Sequence, residues 1–338
     1  MQRANSVMSA EVLLSQCRTL AADGSWSELC TVASEHLAAA KTSPTLITLY
    51  AEALLRTGNP RTARRWLDEQ DTTLVISGDR AAIRRAVNFA GAASFEQSDL
   101  DNAKTAFERA LELGRIDGDD LLVARATNNL AVISTIRGRH DEALGLYAIA
   151  LPAYQRLGNV NGLAESYHNA AIALRKLRQL QSADEHEQRA AEFARQAGNK
   201  HLVALILVGR AEISLLRGDA AMAEATASRA AKELAAVHDP SRQADAIRLC
   251  GAARLALGKL VEACEALNLA VDLAMEHGNT LIEAESRWTR AQTSMALGHI
   301  SAALTDAERS ATYFEKLNAP AELATVKDWL GRHGRPPS

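Results

Sequence analysis

Residues 121–159 read LLVARATNNLAVISTIRGRHDEALGLYAIALPAYQRLGN. Leu121, Leu122, Ala126, Leu130, Ile133 and Ile136 recur at the spacing of one helix face. Gly138 supplies the left-handed backbone that ends such a helix. Asp141 and Glu142 open a second helix, where the positive helix end favours acids. That helix carries Ala143, Leu146, Tyr147 and Ala150 and stops at Gly158-Asn159. The stretch reads as two helices of roughly four turns joined by a tight turn, an αα-hairpin.

The same pattern runs outward in both directions. Ala63, Ala103, Ala143, Ala183, Ala223, Ala263 and Ala303 stand 40 residues apart without a break. A second column reads Ala51, Gly91, Ala131, Ala171, Ala211, Gly251 and Ala291, and a third runs from Ala110 through Ala150, Ala190, Ala230 and Ala270 to Ser310. Gly58, Gly138, Gly218, Gly258 and Gly298 share one turn phase, with Ser98 and Arg178 as exceptions. Gly78, Gly118, Gly158, Gly198 and Gly278 share the other, with His238 and Asn318 as exceptions. Small residues in register mean helices that meet closely, where a larger side chain would overpack the contact at a cost of ~1–3 kcal/mol. One hairpin cannot bury its own apolar faces, but stacked neighbours can, so the expected core is a continuous ribbon.

At these columns the sequence resembles the tetratricopeptide repeat family. That family sets a small residue in the first helix, glycine at the turn, then Ala, a large residue and Ala in the second. Here the pattern stands as Ala131, Gly138, Ala143, Tyr147 and Ala150, and as Gly91, Ser98, Ala103, Phe107 and Ala110. The usual unit is about 34 residues; the longer spacing, with Thr127-Asn128-Asn129-Leu130-Ala131, is similar to kinesin light chain repeats. It is also similar to the helical arms of bacterial transcription regulators and peptide-sensing regulators. The resemblance implies an all-α fold, a right-handed α-solenoid of about eight antiparallel helix pairs plus a C-terminal capping helix.

The expected organisation is a disordered N-terminus over 1–8, the solenoid over 9–318, a capping helix over 319–332 and a disordered tail over 333–338. Within the solenoid, 9–42 forms a degenerate first pair, with Leu29 at the alanine position, and 43–318 forms seven 40-residue pairs. The β-branched run Thr72 to Ile76 predicts a fraying helix. Arg178 at the turn and Glu187 at the large position predict looser packing in that repeat.

Helix geometry locates a face for a partner. At ~100° per residue, Asn129 lies ~160° from Ala131, on the far side of the first helix. Arg125, Asn129, Val132 and Ile136 share that side, flanked by Asn128 and Thr135. One repeat on, it reads Glu165, His168, Asn169, Ile172, Arg175 and Lys176; one repeat back, Arg85, Asn88, Phe89, Ala92, Phe95 and Glu96. An asparagine amide can donate to and accept from a peptide backbone at once, and neighbouring arginines select carboxylates. The resemblance implies that this face lines a concave groove holding extended peptides, with Asn129 and Asn169 as groove asparagines. Solvated asparagines, or bonds between neighbouring helices, would give the same pattern. Basic residues lead in the middle repeats, whereas Glu212, Asp245 and Glu285 outnumber Arg248 later; this is either a bipolar groove or scattered solvated charge. Trp288 reads as an aromatic anchor or as a contact with the last helix.

Formal net charge is −3, leaving no basic surplus to attract nucleic acid. Cys17, Cys30, Cys250 and Cys264 form no CxxC or zinc-ligand spacing, so no metal or other cofactor is expected. The N-terminal residues show no signal peptide, and the longest apolar run, Leu202 to Val208, falls far short of the ~20 residues a membrane helix needs. A cytoplasmic protein is expected. No HExxH, GxSxG, phosphate loop or dinucleotide fingerprint occurs, so no catalysis is expected. The leading reading is a non-catalytic scaffold or adaptor that binds a peptide or disordered segment of a partner protein. The alternative is a sensor module that binds a small signal or short peptide. A monomer is expected, with self-association through the array ends as a third reading.

Overall fold

The computed structural model describes residues 8–334. Of the disorder expected for 1–8 and 333–338, residues 1–7 and 335–338 lie outside the described residues. Among the described residues there are 18 helices and no strand.

The chain divides into two compact units, the first ending at Asn159 and the second beginning at Val160. The first contains α1 (Ala10–Ala22), α2 (Trp26–Glu35), a single turn α3 (Leu37–Ala40), α4 (Pro44–Arg56), α5 (Pro60–Ser77), α6 (Arg80–Glu96), α7 (Leu100–Asp117), α8 (Asp120–Ile136) and α9 (His140–Arg156). The second contains α10 (Val160–Lys176), α11 (Leu180–Gln196), α12 (Lys200–Leu216), α13 (Ala220–Ala236), α14 (Pro240–Ala256), α15 (Leu260–Glu276), α16 (Thr280–Ala296), α17 (Ile300–Lys316) and α18 (Pro320–His333). From α4 onward, even-numbered helices are first helices of pairs and odd-numbered ones are second helices. Within each unit, second helices pack between first helices, and each first helix also touches the next first helix.

The alanine column is the spine of this packing. Ala63, Ala103, Ala143, Ala183, Ala223, Ala263 and Ala303 are each 0% exposed. The facing column is tuned to what stands across from it. A Cβ on Gly91 would lie 2.7 Å from Phe107 Cε1, and one on Gly251 would lie 2.6 Å from Leu267 Cγ. At those two positions the nearest atoms belong to a bulky side chain of the second helix and not to backbone.

The turns share one backbone whatever residue occupies them. Gly138 has φ 74°, and the four exceptions Ser98, Arg178, His238 and Asn318 adopt φ 61°, 61°, 56° and 51°. A side chain in this left-handed region costs ~1–2 kcal/mol, which the repeat absorbs to keep its register. Short acids and amides start the helices that follow. Asp79, Asp119, Asn199, Asp219, Asp239 and Asn279 each accept a hydrogen bond from the backbone N–H three residues on, at 3.0–3.2 Å.

Three local expectations are corrected. α5 runs unbroken to Ser77, with Thr72, Val75 and Ile76 exposed and Leu74 anchoring the segment in the core. The pair α10–α11 is not loosely packed: Glu187 is 0% exposed and bonded inside it. The last helix runs from Pro320 to His333, one residue into the tail expected over 333–338, and the His333 ring stacks on Trp329 at 4.5 Å.

Candidate functional site

In the first unit, the first-helix face holds a depression of about 610 Å³ lined by α4, α6 and the start of α8. Arg85, Asn88 and Arg125 meet there, beside Phe89 and Leu121. Glu52 on α4 supplies the counter-charge, 3.6 Å from Arg85 and 3.3 Å from Arg56. Arg84 and Asp119 also line the depression and pair there, and Arg84 reaches Asp117 as well. Together, the Arg80 hydrogen bond and then Arg84 hold the Asp117 carboxyl below the usual carboxylate range, against an opposing desolvation. Arg125 is exposed and makes no ion pair among the described residues. Asn88 buries its Oδ1 without a hydrogen-bond partner.

Asn129 follows Arg125 by one turn, as the helical spacing requires. It is partly exposed, and its amide makes no hydrogen bond among the described residues. Asn128 differs. It is only 6% exposed and is engaged inside the protein. One residue is a rotation of ~100°, which carries Asn128 from the open side toward the packed side marked by Ala131. It does not flank an open face.

In the second unit, α10 presents Glu165, Asn169 and Lys176 at least partly to solvent. Asn169 has no hydrogen-bond partner among the described residues. His168 instead turns inward, with Nδ1 2.9 Å from Glu187 Oε2. Arg175 reaches Glu212 on α12 at 3.0 Å. Further along, Arg248 sits between Asp245 at 2.6 Å and Glu285 at 3.2 Å. Burial opposes the Arg248 charge, but these carboxylates outweigh it and raise its proton affinity. Burial pushes the Glu285 carboxyl up, with Arg248 opposing. The acids counted in the sequence are therefore paired with neighbouring arginines and do not form a free acidic surface. Trp288 packs edge-on against Trp329 of α18, with ring centroids 5.5 Å apart.

Two residues of this region were not read from the sequence as part of a site. A Cβ on Gly209 would lie 2.3 Å from Glu187 Oε1 and 3.4 Å from Arg175 Nη1. Gly209 occupies the column of Asn129 and Asn169, and Glu187 that of Phe107 and Tyr147. The available signal was that each departs from its own column, a glycine among asparagines and an acid among large apolar residues.

Among the described residues, no group of three His, Cys, Asp or Glu side chains is placed to hold a metal ion. All four cysteines are free, Cys17 and Cys250 buried, Cys30 and Cys264 partly exposed. No helix among the described residues is long and apolar enough to cross a membrane.

Stacked helix pairs with a polar first-helix face define a helical-repeat protein. The tetratricopeptide repeat family model matches residues 122–196, the stretch from α8 to α11. Solved structures agree in fold. The Rap protein complexed with competence and sporulation factor is 16% identical, with TM-score 0.65 over 96% of this chain and 97% of that one. The apo form of the quorum sensor NprR from B. thuringiensis is 13% identical, with TM-score 0.65 over 96% and 98%. NprR in complex with its cognate peptide NprX is 12% identical, with TM-score 0.65 over 86% and 84%. No curated protein matches the sequence.

Proposed function

We propose that this protein is a non-catalytic, cytoplasmic adaptor whose first-helix faces bind an extended peptide segment of a partner protein. The observation that carries the reading is a polar set on these faces without hydrogen bonds or ion pairs among the described residues: Arg125 and Asn129 on α8, and Asn169 and Lys176 on α10. Free amides suit a peptide backbone of any sequence, and a free guanidinium suits a carboxylate. Arg85 and Asn88 line the same face in the first unit, and Glu165 in the second. His168 and Arg175 act from behind, through Glu187 and Glu212. Asn128 and Trp288 contribute packing. We take the protein to act as a monomer and without nucleic acid.

A photo-crosslinking residue placed at Asn129 or Asn169, used in extract of the native host, tests the reading. At each position the crosslinks should map to a defined partner segment and be competed by that segment as a synthetic peptide. The double variant Asn129→Ala, Asn169→Ala should weaken capture while circular dichroism is unchanged. Unaltered capture by the double variant would refute the assignment.

A peptide-sensing regulatory module is the second reading. It is favoured by the likeness in fold to the Rap protein complexed with competence and sporulation factor, over 96% of this chain, and to NprR in complex with its cognate peptide, over 86%. It predicts thermal stabilisation by a short free peptide with no larger partner present.

A further inference from the structure

The second-helix layer carries its own opening. A pocket of about 290 Å³ lies between α5 and α7, with α6 as its floor. Leu67 and Leu74 line one wall, Val87 and Ala90 the floor, and Ala106 and Arg109 the other wall. The volume falls just below the ~300–1,000 Å³ of pockets for drug-sized ligands, so it suits a single side chain.

The repeat shows what fills the corresponding space elsewhere. Two repeats on, Val87 becomes Tyr167, Ala106 becomes His186, Leu113 becomes Phe193, and Arg109 remains arginine as Arg189. There the Tyr167 ring stacks on Phe193 at 5.8 Å and 8°, and meets the edge of His186 at 5.6 Å. Arg189 lies 5.8 Å from the Tyr167 ring centroid, and its Nη1 donates to the tyrosine hydroxyl at 3.3 Å. In the α5–α7 pocket the arginine is kept and the ring is missing. Arg109 is exposed and has no ion pair, hydrogen bond or ring contact among the described residues. A cation over a π face, with a donor for a phenol oxygen, is complementary to tyrosine. The apolar walls suit its ring.

We infer that the pocket between α5, α6 and α7 receives a tyrosine side chain from a partner polypeptide, held by Arg109 as Arg189 holds Tyr167. This surface lies on the layer opposite the proposed peptide face and does not depend on that reading.

The test is a methyl NMR titration of the full chain, following Leu67, Leu74, Ile83 and Val87. The probes are p-cresol and N-acetyltyrosinamide, with 4-methylcyclohexanol as the saturated analogue of p-cresol. Both aromatic probes should give saturable shifts at these methyls. Val87→Tyr, which supplies the ring internally, should abolish them; Ala106→Met blocks the pocket from the other wall and should do the same. Arg109→Leu should weaken binding about two- to fivefold, as expected for loss of a cation–π contact. The saturated analogue should bind weaker by a similar factor. Absence of saturable shifts with p-cresol overturns the site. Equal binding of 4-methylcyclohexanol, or indifference to Arg109→Leu, overturns the tyrosine assignment. Binding of p-cresol without N-acetyltyrosinamide overturns docking of a polypeptide.

Discussion

Replacing Gly91 with alanine should change sign with its surroundings. In the native chain the new Cβ would stand 2.7 Å and 2.8 Å from two atoms of the Phe107 ring. Phe107 is 1% exposed and cannot swing out. Overpacking of this kind costs ~1–3 kcal/mol, while alanine gains ~1 kcal/mol over glycine inside a helix. Gly91→Ala should therefore destabilise by a net ~0–2 kcal/mol. Phe107→Ala alone should cost ~3–5 kcal/mol. With the ring gone, only the helix gain remains, and Gly91→Ala should stabilise by ~1 kcal/mol. The double variant recreates the Ala211–Ala227 and Ala291–Ala307 pairs found elsewhere in the chain. The coupling is thus ~1–3 kcal/mol. A repeat array need not melt in one step, so the assay is native-state hydrogen exchange of α6 and α7 amides across the four-member cycle. Equal stabilisation by Gly91→Ala in both backgrounds would refute the argument that the ring dictates the glycine.

Asn199→Ala removes the side-chain acceptor that the Leu202 N–H meets at 3.0 Å; exchange protection in the first turn of α12 should fall by ~0.5–2 kcal/mol, and Asn199→Asp should retain it. Glu187→Ala strips the buried partner of His168, and a second-unit loss of about 1–3 kcal/mol is expected from the unpaired group, measured by the same exchange method. Asp117 is held below the usual range by Arg80 and Arg84. Its folded pKa is below its unfolded one, so the contribution is in place above about pH 4 and is lost as pH falls through the lowered value. A carboxyl-carbon NMR titration should show this, with Arg80→Gln moving the midpoint upward.

The helix pairs were legible because the same small residue returns at one period. Ala143 and its six equivalents could be small only for a shared packing reason, and all are buried. The turns were legible for the same cause, although Ser98 and Arg178 looked like interruptions and instead adopt the glycine backbone. The face was legible at Arg125 and Asn129, which a helical wheel separates cleanly from Ala131. Asn128 was misplaced because its neighbour Asn129 shares its chemistry but not its direction. Glu187 was misread because a charged residue in a large apolar column suggests weakness. Its stabilising partner, His168, and the room left by Gly209 lie 19 and 22 residues away on different helices. No periodicity connects such positions, so only the folded structure joins them.

The indifference of the turns to their residues has a genetic side. Gly218, Gly258 and Gly298 end one phase of helices at φ 82°, 74° and 81°, and both turn phases repeat every 40 residues. A deletion or duplication of 40 codons, wherever its ends fall inside the regular array, rejoins helix to helix in the same phase. Such a chain can lengthen or shorten by unequal recombination without inventing a new junction. Repeats can then diverge one at a time, as the tyrosine at 167 and the valine at 87 already have.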